Sequence, residues 1–236
     1  MKLGERVSVT VVGAEYPVNL GYTARLMKNF GVERLYLVDP NCDMRAASVY
    51  ASHGADVLAG AKVTTLARVR KAHDFLLGTT AIRARRGANV GRTSVRPEDA
   101  VARLPAAKSA SLVFGRDTTG LSNDEVAMCD LVTTIETGTG YKTLNVSHSV
   151  GILLYLASRA YLARGAPQES RASRERREAF STYAYRLAMA TGMQEHRAKR
   201  VVQVARRVAT KSDVSSKELG LLISLMRRAE HAVEEG

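Results

Sequence analysis

Five short runs, Val7 to Val12, Leu35 to Val38, Phe75 to Leu77, Leu112 to Phe114 and Leu131 to Ile135, are apolar on both faces and bounded by turn residues. A strand buried on one side only would alternate apolar and polar positions. Runs without that alternation suit a mainly parallel sheet covered by helices on both faces. The segments between them, such as Ala24 to Phe30 and Asp124 to Cys129, read as helical crossovers. The fold class is therefore α/β.

The pattern stops after Leu162. Arg164-Gly165-Ala166-Pro167 supplies a helix stop followed by a breaker, and no strand-like run comes later. The boundary predicted here separates a sheet domain, residues 1–165, from a helical extension, residues 166–236. From Gln168 onward there are 14 basic and 9 acidic residues, with breaks near Thr191-Gly192 and Lys211-Ser212-Asp213, which predicts three helices. In the middle one, Val201, Val204, Ala205 and Val208 recur at three- and four-residue spacing and read as a packing face. Arg197, Arg200, Arg206 and Arg207 project elsewhere.

Two loop-like stretches, FGRDTTGLS at 114–122 and YKTLNVSHSVG at 141–151, lie on either side of the run at 131–135 and precede a long apolar helix, Val146 to Leu162. Gly115, Gly120, Gly138 and Gly140 would let the backbone turn and approach a ligand, although Gly138-Thr139-Gly140 also reads as a simple loop tip. Together with Pro17-Val18-Asn19-Leu20-Gly21-Tyr22-Thr23-Ala24-Arg25 and Asn29-Phe30-Gly31, these stretches resemble the three ordered motifs of the SPOUT superfamily of RNA methyltransferases. Within it they resemble the TrmH and TrmJ group of ribose 2′-O-methyltransferases, closest to the archaeal TrmJ type. The likeness covers about the first 165 residues. The chain departs from the family pattern at Asp117, where Glu is usual, and at Thr143, where Ser is usual; both keep the functional group.

The resemblance implies a SPOUT-type sheet ending in a C-terminal trefoil knot, with Phe114 to Ser122 and Tyr141 to Asn145 as the threaded loops. Knots are almost absent from proteins, and no periodicity reveals one. It also implies S-adenosyl-L-methionine as cofactor, held by Thr79, Thr80, Ala81, Gly115, Ile135, Lys142, Thr143 and Leu144. The implied reaction is tRNA ribose 2′-O-methylation in the cytoplasm by a homodimer, at the cytidine of nucleotide 32 in the anticodon loop. Ribosomal RNA as substrate, or an RNA-binding module without turnover, are the alternatives.

Arg25 matches the arginine of the first motif. A guanidinium with a pKa above about 12 is a poor base, so its easier role is bidentate clamping of an RNA phosphate, leaving the proton to water or to the phosphate. Asn19 and Asn145 complete the catalytic set, because an amide both donates and accepts and can hold a ribose edge or fix a loop. Asn145 also stands where a helix N-cap is expected. His148, one turn into the apolar helix, reads as packing or interface polarity rather than as a base. That helix serves equally as a core element or a dimer interface.

Net charge is +12, and 26 of the 35 basic residues are arginine. This fits a polyanionic partner and also a solvated arginine-rich surface. Arg83, Arg85 and Arg86, with Arg92 and Arg96 in the same glycine-containing loop, and Arg197 and Arg200 in the extension are the candidate RNA contacts. The chain shows neither G-x-G-x-x-G after the first strand nor a G-K-[ST] loop, which removes the support for two common nucleotide-binding classes. Cys42 and Cys129 lie in no C-x-x-C pattern and read as reduced thiols, no histidine spacing suggests a metal, and the start of the chain lacks a secretory signal. The longest apolar stretch, Val150 to Leu162, contains Ser158 and Arg159 and falls short of the roughly 20 residues that cross a bilayer.

Overall fold

A computed structural model describes residues 3–81, 94–141, 143–163, 172–211 and 214–235. The chain forms two compact units, Met1–Pro167 and Gln168–Gly236. In the first, strands and helices follow one another as α1 (Leu3–Arg6), β1 (Val7–Val12), α2 (Pro17–Asn29), β2 (Leu35–Val38), α3 (Met44–Ala51), α4 (Ala55–Ala59), β3 (Lys62–Thr64), α5 (Leu66–Ala72), β4 (Phe75–Thr79), α6 (Pro97–Val101), β5 (Ala110–Phe114), α7 (Asn123–Met128), β6 (Leu131–Thr133) and α8 (Val146–Ala163). Six strands form one sheet in the order β3-β2-β1-β5-β4-β6, and every pairing between them is parallel. The α/β class expected from the doubly apolar runs is the one observed.

β1 shows why the sheet must be covered twice. Its sequence VSVTVV is buried at all six positions. Val7, Val9 and Val11 join the larger apolar cluster with Leu20, Ala24 and Met27 of α2 and Val150, Leu153, Leu154 and Ala157 of α8. Val12 joins the opposite cluster with Leu66 and Val69 of α5 and Val126 of α7. The polar residues on that second face are satisfied in place: Thr10 and Ser111 share a 2.8 Å hydrogen bond between their hydroxyls, and Ser8 Oγ lies 2.9 Å from His73 Nε2. His73 Nδ1 is 2.8 Å from the Val69 carbonyl, which can only accept. Nδ1 therefore carries a proton, and the Ser8 hydroxyl lies within reach of both His73 Nε2 and the Ala110 carbonyl, 3.3 Å away.

The second unit comprises α9 (Arg174–Ala190), α10 (Glu195–Lys211) and α11 (Ser216–Glu235). Ser173 caps α9 by accepting the Arg176 N–H, and Ser215 accepts from the Glu218 N–H while the Glu218 carboxylate accepts the Ser215 N–H in return. α9 packs against both other helices around Phe180, Ala184, Ala205, Ala209, Leu219 and Ile223. The expected packing face of the middle helix is thereby corrected. Val204 and Val208 are 46% and 54% exposed, and the buried ridge of α10 is Ala198, Ala205 and Ala209. Small side chains admit a close neighbour, which turns the bulkier valines outward. Arg186 Nε donates to the buried Glu230 carboxylate at 2.7 Å, and Arg186 and Arg227 both lie over the Tyr183 ring, tying α9 to α11.

Candidate functional site

In a parallel sheet, ligands bind beyond the carboxyl ends of the strands, where the strand order reverses. Here β1 leads outward to β2 and β3 on one side, and β5, β4 and β6 lie on the other, so the reversal falls between β1 and β5. A cavity of about 200 Å³ opens at the ends of β4, β5 and β6. Thr79, Thr80, Ala81, Gly115, Ile135, Thr143 and Leu144 all line it. Lys142, the eighth expected cofactor residue, lies outside the described residues. Thr133, Val146, Ser149 and the whole turn Arg116 to Leu121 also line the cavity. Asp117 and Gly120 stand out in the sequence as parts of the motif at 114–122, whereas nothing there singles out Thr133, Ser149 or the rest of the turn as cavity residues.

One wall is the loop from Gly115 to Leu121. Arg116 and Gly120 exchange backbone hydrogen bonds of 3.2 and 3.0 Å, closing a tight turn with Gly120 at φ +69°. A Cβ on Gly115 would sit 2.1 Å from the Gly120 carbonyl carbon, so glycine is required there by contact rather than by torsion. The Arg116 guanidinium grips the Glu125 carboxylate through two 3.0 Å bonds and also donates to the Gly120 carbonyl at 3.3 Å. Glu125 accepts the Ser122 N–H as well, in a capping box at the start of α7. Burial pushes the Glu125 carboxyl up, but the Arg116 hydrogen bonds, the Ser122 N–H and the Arg116 charge outweigh it and hold the group below its ordinary value.

On the other side of the loop a chain of side-chain hydrogen bonds joins the three motifs. Asp117 Oδ2 accepts the backbone N–H groups of Glu15 and Tyr16, each at 3.2 Å, just ahead of α2. Tyr16 offers no side-chain cap and Pro17 no N–H, so the Asp117 carboxylate supplies the negative end that a helix start favours. Asp117 Oδ1 accepts from Asn19 Nδ2 at 2.5 Å, Asn19 Oδ1 accepts from Asn145 Nδ2 at 2.7 Å, and Asn145 Oδ1 accepts the Ser147 N–H at 2.8 Å and the Ser147 hydroxyl at 2.7 Å. Asn145 thus caps α8 and reaches Asn19 at once. Beside this chain, burial raises the Cys42 thiol above its ordinary pKa, with the Asp117 and Asp43 charges adding to it.

Arg25 takes no part in that chain. Six residues beyond Asn19 on α2, it lies about 240° round the helix. It is exposed and makes no hydrogen bond or ion pair among the described residues. Arg197 and Arg200 are exposed on α10, in the second unit. Arg83, Arg85, Arg86 and Arg92 lie outside the described residues; Arg96 is inside them and pairs with Asp99 at 3.0 Å. His148 is exposed on the first turn of α8. Among the described residues, no group of three His, Cys, Asp or Glu side chains could hold a metal ion, and no helix is long and apolar enough to cross a membrane.

A sequence model of the SpoU rRNA methylase family matches residues 6–155, from the start of the sheet into α8. The chain belongs to this family. The SpoU methylase match covers every segment that lines the cavity, and it agrees with the resemblance to the SPOUT TrmH and TrmJ group. The tRNA (cytidine-2′-O-)-methyltransferase TrmJ of Sulfolobus acidocaldarius is 34% identical over 151 residues, which make up 63% of this chain and 63% of that protein. The match therefore spans less than two thirds of that relative's length. The crystal structure of TrmJ from Z. mobilis ZM4 superposes with a TM-score of 0.66 at 25% identity, covering 94% of this chain and 97% of that one. An AdoMet-bound rRNA methyltransferase from Sinorhizobium meliloti shares the fold with a TM-score of 0.55 at 19% identity, over 67% of this chain and 58% of that one.

Proposed function

We propose that this protein is an S-adenosyl-L-methionine-dependent tRNA ribose 2′-O-methyltransferase that acts in the cytoplasm as a homodimer on the start of the anticodon loop. The observation that carries the reading is the hydrogen-bonded chain from Asp117 through Asn19 to Asn145. It joins residues of all three methyltransferase motifs beside a cavity. Relatives that methylate cytidine ribose in tRNA favour tRNA over ribosomal RNA.

The cavity fits the methyl donor. Ile135 and Leu144 offer apolar surface to an adenine, Thr80 and Thr143 offer hydroxyls, and the bare backbone at Gly115 and Gly120 permits close approach. Lys142 belongs to the same proposed set. The donor, when bound, supplies a methyl carbon made electrophilic by its sulfonium. The chain's task is to align a ribose 2′-oxygen with that carbon and to give the departing proton a path. Alignment of this kind is worth up to roughly 7 to 11 kcal/mol in the best intramolecular cases.

Asn19 and Asn145 hold the edge of the site. Arg25, charged and free among the described residues, clamps an RNA phosphate through its planar fork and leaves the proton to water or to that phosphate. Its place on an outward ridge of α2 suits a homodimer in which each copy's Arg25 serves the other's site. Exposed Tyr22 on α2 and Ile152, Tyr155 and Leu162 on α8, two helices packed together, offer an apolar surface for that contact. The knotted threading of the loops at 114–122 and 141–145 and the RNA-binding role of the extension belong to the same proposal. Arg83, Arg85, Arg86, Arg197 and Arg200 are its RNA contacts.

The test is transfer of labelled methyl from S-adenosylmethionine to total tRNA and, separately, to ribosomal RNA, with nuclease mapping of the modified ribose and Arg25→Ala alongside. A 2′-O-methyl mark in the anticodon loop, lost in the variant, is the expected result. A mark on ribosomal RNA moves the target, and no mark on either overturns the enzyme.

A further inference from the structure

Asp117 and Thr118 tie the loop that walls the cavity to the segment ahead of α2, and on its other side one arginine ties it to α7. Arg116 follows Gly115 directly, and its guanidinium reaches past the turn to the next helix, where both terminal nitrogens meet the two Glu125 oxygens at 3.0 Å. The same guanidinium holds the Gly120 carbonyl at 3.3 Å, so it fastens the far end of the turn to its near end and both to α7. The side chain lies across Gly13, which closes β1 at φ +60°, and a Cβ on Gly13 would come 2.6 Å from Arg116 Cγ. The strand end thus leaves a bare stretch of backbone for this arginine to cross. Its side chain is 31% exposed and that of Glu125 17%, so the pair is partly shielded from water, and its two parallel bonds add geometric specificity to the attraction.

We propose that Arg116 is a positioning residue for the methyl donor, holding the loop from Gly115 to Leu121 in the shape that receives it. The assignment rests on reading the cavity as the donor site. Because its fork is filled by Glu125, Arg116 is not a phosphate clamp. Its effect falls on affinity for the donor through preorganisation: a loop already fixed loses less freedom when a ligand binds. Asp117, one residue on, faces Asn19 instead. Adjacent side chains of a single turn therefore serve the donor side and the ribose side separately.

The experiment is calorimetric titration of S-adenosylhomocysteine into the full chain, for wild type, Arg116→Lys and Glu125→Gln, with tRNA affinity by filter binding and amide hydrogen exchange at residues 116 and 120 in parallel. Lysine keeps the charge and loses the fork; glutamine keeps the shape and loses the charge. Both variants are expected to bind S-adenosylhomocysteine about tenfold more weakly, to exchange the two loop amides faster, and to keep wild-type tRNA affinity. Wild-type S-adenosylhomocysteine affinity in both variants would overturn the positioning role and leave the donor site standing. Parallel loss of donor and tRNA affinity with loss of helical signal would make the pair merely structural and overturn the proposal. No binding by the wild type would remove the donor site itself, and this role with it.

Discussion

Asp117 carries more connections than its size suggests. One of its oxygens takes two backbone N–H groups and the other takes Asn19, so replacing it releases the start of α2 and the amide that holds Asn145. Asp117→Ala is expected to lower methyl transfer about a hundredfold, the scale of a misplaced reacting group, with tRNA affinity nearly unchanged in filter binding. Asp117→Glu, which restores the residue usual in the motif, should keep most activity. Glu125 gives a prediction in pH. Its folded carboxyl is held low, so its stabilising contribution is complete above the ordinary glutamate value and disappears as pH falls through the lower folded value. A melting-temperature series across acid pH should show wild type losing its advantage over Glu125→Gln in that window; equal slopes throughout would count against the pair.

At the scale of the elements, α10 shows where packing is tight. Ala205 and Ala209 are buried against α9, whereas Val204 and Val208 face outward. Ala205→Leu should cost about 1–3 kcal/mol by overpacking, and Val204→Ser less than about 0.5 kcal/mol, both read by urea denaturation. The periodicity of that helix was visible in the sequence, but which of its two small-and-branched ridges would be buried was not, because that depends on how closely α9 approaches. The doubly apolar runs announced five of the six strands. β3 escaped notice since Lys62-Val63-Thr64 is an exposed edge of three residues whose pairing comes from β2 alone. Within the site, glycines and amides could be picked out by motif. That Asp117 would bond Asn19, or that Arg116 would cross Gly13, could not be, because partners about 100 residues apart are fixed only by the register of β1 on β5. The Ser122 and Glu125 capping box, which the structure shows at the start of α7, has a local Ser-x-x-Glu pattern that goes unremarked beside the helical reading of Asp124 to Cys129.

For the whole molecule, the net charge of +12 predicts that tRNA affinity falls linearly with salt on a log–log plot, with a slope of about 0.7 to 0.9 per phosphate neutralised. Replacing Arg197 and Arg200 with alanine should weaken tRNA binding and flatten that slope while leaving S-adenosylhomocysteine affinity untouched; an unchanged slope would remove the second unit from the RNA contact. The chain of hydrogen bonds through the site also has a direction. It begins at a carboxylate that can only accept, so each amide along it is read one way round, and it ends by capping α8. The same carboxylate receives the N–H groups ahead of α2. Two helices that carry motif residues are thus surveyed from a single origin: a displacement of the Asp117 loop would carry both starts with it, and the interval between Asn19 and Asn145 would travel unchanged.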